Sequence, residues 1–136
     1  MMKRKIFLSV ALLFSIFLIT NSTSAAVIEK DSITLNYPYY PSRTDNTVNT
    51  KALYLQPGAS LGIYVNLKSC KTDFDWRVVD NNGKVVYSGS NDFNRVVGAP
   101  VGYYYLELKG GASIPDGRGG YEDFPCSADG ILSIQK

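Results

Sequence analysis

Tyr103 and Tyr105, two apart in the run Tyr103-Tyr104-Tyr105, put two phenol rings on the same side of any strand that holds them. Rings so placed stand ~6.6 Å apart and can act as one flat apolar platform with polar tips. Such a platform suits a sugar, a peptide or another protein surface. The plainer alternative is that tyrosine favours strands and a second layer covers the rings. A second cluster, Tyr37-Pro38-Tyr39-Tyr40-Pro41, is held extended by its prolines, with packing against a strand edge as its ordinary reading.

Acidic residues offer two weaker sets. Asp116, Glu122, Asp123 and Asp129 lie in or beside a glycine-rich stretch whose carbonyls are free, the oxygen chemistry that calcium takes. Their spacing matches no EF-hand loop. Asp73 and Asp75 flank Phe74, and a pair of carboxylates can run glycoside hydrolysis. Solvated turn carboxylates are the ordinary reading of both sets. The 136 residues contain no histidine, which removes the Ser-His-Asp and Cys-His nucleophile systems and the usual zinc sites. No catalytic residue is assigned, a non-enzyme without a cofactor is expected, and calcium is the one ion left open.

The compartment follows from the first residues. Lys3, Arg4 and Lys5 precede an uncharged apolar run from Ile6 to Ile19, and Ser24-Ala25-Ala26 is a small-x-small exit. This is the pattern of a secretory signal peptide over residues 1–26, cut after Ala26 or one residue earlier. The apolar run is shorter than the ~20 residues a membrane-spanning helix needs. An exported chain makes Cys70 and Cys126, the only cysteines, an expected disulfide. Closing a loop of about 55 residues stabilises by ~4 kcal/mol in the chain-entropy account.

Three of the 14 basic residues belong to the leader, leaving 11 against 12 acidic residues and a net charge of −1. No basic run survives that would hold nucleic acid or an anionic membrane surface. A monomer is expected, since nothing singles out an association surface.

The elements that must position these residues read as strands. Ile33–Tyr37, Leu61–Leu67, Phe74–Val79 and Tyr103–Leu108 alternate apolar and polar residues with period two, and no helical period appears after the leader. Shorter runs at Ala52–Leu55, Lys84–Tyr87, Asn94–Val97 and Ile131–Ile134 bring the expected total to about eight. Asp80-Asn81-Asn82-Gly83 predicts a hairpin with a type I′ Asn-Gly turn. Gln56-Pro57-Gly58 predicts another turn, with the glycine in the left-handed corner. The stretches 36–49 and 110–130 read as long loops, the places where sites concentrate. The expectation is one all-β domain over residues 27–136, a small antiparallel jelly-roll-like β-sandwich.

The runs Trp-Arg-Val-Val-Asp-Asn-Asn-Gly-Lys-Val-Val-Tyr at 76–87 and Gly-Ala-Pro-Val-Gly-Tyr-Tyr-Tyr-Leu-Glu-Leu at 98–108 resemble the bacterial pre-peptidase C-terminal domain. That resemblance covers about a quarter of the chain. It implies a β-sandwich and a non-catalytic accessory role; the cysteine pair and the glycine-rich stretch are not part of it. Three functions are therefore weighed. The first is a secreted module binding a polysaccharide, the cell wall or another extracellular protein through its tyrosines. The second is an antibacterial effector or enzyme inhibitor locked by its disulfide, and the last is a small hydrolase using Asp73, Asp75 or the loop acids.

Overall fold

The computed structural model describes residues 26–38 and 45–136. Residues 1–25 of the expected leader, with Tyr39 and Tyr40, lie outside the described residues. Among the described residues eleven strands follow one another: β1 (Val27–Tyr37), β2 (Thr47–Asn49), β3 (Leu53–Leu55), β4 (Ser60–Cys70), β5 (Phe74–Asp80), β6 (Val85–Gly89), β7 (Phe93–Val97), β8 (Gly102–Gly110), β9 (Ala112–Pro115), β10 (Tyr121–Phe124) and β11 (Cys126–Gln135). One sheet has the order β1-β11-β4-β7, and a second has β2-β8-β5-β6 with β3 also on β8. β9 and β10 form a separate hairpin. Because the chain passes between the two sheets so that β1 and β4 flank β11 while β3 and β5 flank β8, the fold is an antiparallel jelly-roll sandwich.

The period-two residues make the core. Leu35 of β1, Leu61, Ile63 and Val65 of β4, and Ala128, Leu132 and Ile134 of β11 are buried from one sheet. Leu53 and Leu55 of β3, Phe74, Trp76 and Val78 of β5, and Tyr104, Leu106 and Leu108 of β8 meet them from the other. Each such large side chain taken from water contributes about 1.5–3 kcal/mol. Gly130 gives the facing sheet room, since a Cβ there would stand 2.9 Å from Leu106 and 3.2 Å from Leu108.

Three expectations change. The stretch 110–130 is not a loop: it holds β9, β10 and the first half of β11, strands whose short length and glycines hide any alternation. β1 starts at Val27, six residues before the alternation begins, because Val27–Asp31 pairs along β11 with both faces largely exposed. The expected disulfide forms: it joins Cys70 at the end of β4 to Cys126 at the start of β11, register partners within one sheet, their Cα atoms 3.9 Å apart.

The β5–β6 turn is not type I′, since among the described residues none other than glycine has positive φ. Gly83 donates to the Asp80 carbonyl and takes φ +79°, while the Asp80 amide donates to the Lys84 carbonyl. These bonds define a three-residue connection ending in a left-handed glycine. The cause is Asp80, whose Oδ1 accepts the amides of Asn82 (2.8 Å) and Lys84 (2.9 Å) and fixes the turn. The Gln56–Ala59 turn forms as expected, with Gly58 at φ +79°.

Candidate functional site: a tyrosine pair on the outer face

β8 separates its tyrosines as alternation requires. Tyr104 points into the core and is 3% exposed, whereas Tyr103 is 50% exposed on the outer face of the second sheet. Tyr105 shares that face but is partly buried, lying opposite Val79 of β5. The ring that completes the pair with Tyr103 comes from another strand. Tyr54 of β3 is its register partner, 44% exposed, with ring centroids 5.1 Å apart. Sequence reasoning missed Tyr54, although the signal was present: Leu53 and Leu55 alternate inward around it.

The same face carries an ion pair. Arg77 of β5 and Glu107 of β8 are register partners, and the guanidinium donates from Nε to Oε1 (2.6 Å) and from Nη2 to Oε2 (3.2 Å). The hydrogen bond from Arg77 to Glu107, with the attraction between the charges, raises the guanidinium pKa. The two charges are spent on each other, so the face presents aromatic surface and a neutralised pair.

At one end of the platform lies a groove of about 400 Å³ between the β5–β6 turn and the β7–β8 connection. Tyr103 lines it together with Asn81, Asn82, Lys84, Pro100 and Val101. Two inward phenols fix its rim: Tyr87 donates to the Gly98 carbonyl at 2.5 Å, and Tyr104 donates to the Pro100 carbonyl. Burial pushes the Tyr104 phenol above its ordinary pKa and keeps it a donor.

The remaining candidates fall elsewhere. Tyr37 is no surface ring: it is 2% exposed, and its hydroxyl meets Ser113 Oγ at 2.6 Å, which in turn donates to Asp123 Oδ1 at 2.6 Å. Asp116 sits at the β9–β10 turn, where Oδ1 accepts the amides of Arg118 and Gly120. Glu122 and Asp123 are neighbours on β10 and so point to opposite faces of the hairpin. Among the described residues no three acidic, cysteine or histidine side chains converge in a manner that could hold a metal ion.

Asp129, on the first sheet, accepts from Lys68 Nζ at 2.9 Å and from Thr34 at 3.0 Å. The Lys68 hydrogen bond holds its carboxyl below the usual carboxylate range. Asp73 and Asp75 are exposed on either side of the buried Phe74 and line a groove with Thr72 and Ser90.

Compared with known proteins, the chain matches no family model and no curated sequence. The likeness to the pre-peptidase C-terminal domain therefore rests on residues 76–108 alone. The disulfide fits an extracellular protein, and no helix among the described residues is long and apolar enough to cross a membrane.

Proposed function

We propose that this protein is a secreted, non-catalytic binding module that holds an extracellular or cell-envelope polymer, a polysaccharide foremost, against the Tyr54–Tyr103 pair. The observation that carries the reading is the pairing itself: two half-exposed phenol rings from neighbouring strands, 5.1 Å apart, on a rigid sheet. Aromatic side chains offer large contact area at low entropic cost, and their hydroxyls supply polar tips. A disulfide-closed sandwich suits life outside the cell, and the leader-like residues 1–26 agree with export. Tyr54 replaces Tyr105 as the partner of Tyr103 in this reading.

The test is a pull-down of the oxidised protein on insoluble cell-wall and polysaccharide preparations. Saturable binding by the wild type that Tyr54→Ala/Tyr103→Ala loses, with its melting curve intact, supports the assignment. Absence of binding to every polymer, or equal binding by the variant, overturns it.

A further inference from the structure

We infer that the groove beside Tyr103 is the polar half of the same site, and that its ligand is an uncharged, hydroxyl-rich glycan held between the Asn81-Asn82 turn and the Pro100–Gly102 connection. This rests on the binding-module reading and adds a second contact region and a ligand class to it. Tyr103 belongs to both the platform and the groove, which makes the two surfaces continuous. A chain of sugars lying on the rings therefore runs on into the groove.

The groove has the chemistry that hydroxyl groups need. Asn81 and Asn82 are exposed, and their side-chain amides make no hydrogen bond to the described residues. Each amide offers a carbonyl acceptor and two N–H donors, matching a hydroxyl, which both gives and accepts. Asp80 does not compete for the ligand with its Oδ1, which is spent on the amides of Asn82 and Lys84 and so sets the pose of both asparagines.

The opposite wall is equally fixed. The hydroxyls of Tyr87 and Tyr104 tie the carbonyls of Gly98 and Pro100 from below, so the wall needs little ordering when a ligand arrives.

Charge selects the class. Arg77 is neutralised by Glu107, and the groove is lined by one acid and one base, Asp80 and Lys84. No excess positive charge is available to hold an acidic polymer, and no excess negative charge to hold a basic peptide. Aromatic surface, free amides and balanced charge together fit a neutral sugar chain.

The experiment is affinity electrophoresis of the oxidised protein through gels containing soluble β-glucan, xylan or mannan, against alginate and polygalacturonate. At least one neutral polymer should retard the wild type, and the acidic polymers should not. Asn81→Ala/Asn82→Ala should weaken binding to the retarding polymer by about tenfold or more, with an unchanged melting curve. Oligosaccharides of that polymer should also shift the Asn81 and Asn82 side-chain amide signals in nuclear magnetic resonance spectra.

Wild-type binding by the asparagine variant, alongside loss in Tyr54→Ala/Tyr103→Ala, would overturn this inference and leave the module reading standing. Retardation by acidic polymers only would overturn the ligand class. Passage of the wild type through every gel unretarded would overturn this inference, and the module reading falls with it only when the pull-down fails as well.

Discussion

Tyr54 and Tyr103 face each other across the β3–β8 ladder, their ring planes tilted by 46° and both rings about half open to water. A cross-strand aromatic pair of this kind is coupled by about 0.5–1 kcal/mol. In a double-mutant cycle followed by urea unfolding, Tyr54→Ala and Tyr103→Ala should each cost no more than about 1 kcal/mol. Their coupling should fall in the range given for the pair. A loss of several kcal/mol from either single change would mean that the rings are props of the core, which counts against a ligand platform.

Gly110 stands where the disulfide needs room. A Cβ at that position would lie 2.5 Å from Cys126 Sγ and 3.1 Å from Cys70 Sγ. Gly110→Ala is therefore expected to cost about 1–3 kcal/mol in the oxidised protein, and Cys70→Ala/Cys126→Ala about 4 kcal/mol. Made together, the changes should cost less than their sum, because the sulfurs that oppose the new methyl are gone. Thermal and urea unfolding of the four proteins measures this, and strict additivity would contradict it.

The Asp129 carboxyl is held below its ordinary range by Lys68, so the folded state binds its proton less firmly than the unfolded state. Its stabilising contribution is present above the unfolded value of about 4 and is lost as pH falls through the lower folded value. The side chain is about one-third exposed, so the effect is modest. Asp129→Asn should be less stable than the wild type near neutral pH, and the gap should close on acidification below about pH 4. Urea midpoints across that range check the sign; a gap independent of pH would contradict it.

Ser113 fastens the β9–β10 hairpin to the sandwich through Tyr37, and bonds Asp123 across the hairpin. Ser113→Ala removes both bonds while leaving the β9–β10 ladder intact. Amide hydrogen exchange in Ala112–Pro115 and Tyr121–Phe124 should accelerate, while the amides of β4 and β11 keep their protection. Unchanged exchange in the hairpin would show that Ser113 does not hold it.

The sequence made the sandwich legible wherever one face of a strand is apolar and the other polar. Leu61, Ile63 and Val65 announce β4, and Tyr104, Leu106 and Leu108 announce β8, because burial acts on alternate residues. It was silent where burial is weak or the strand is short. β9 and β10 have four residues each, with their sides mostly in water, and glycines crowd the turn between them.

The site was half legible for a related reason. Alternation tells which face Tyr103 takes but not which strands lie beside β8, and those two neighbours, β3 and β5, supply Tyr54 and Arg77. For Tyr37 the packed reading holds and the surface one does not: Pro38 next to it suggests an extended, open segment, yet the ring closes the end of the core beneath Gly111. There a Cβ would stand 2.4 Å from the ring.

On the binding-module reading, the exposed Tyr54–Tyr103 face holds the polymer, and the amides beside it only add to that hold. Equilibrium binding of the wild type, Tyr103→Phe and Tyr103→Ala to the polysaccharide that the pull-down selects tests it most directly. Phenylalanine keeps the ring and should stay within about threefold of the wild-type Kd, whereas alanine should weaken binding by about tenfold or more. Equal affinity for all three proteins, with folding intact, would contradict the account.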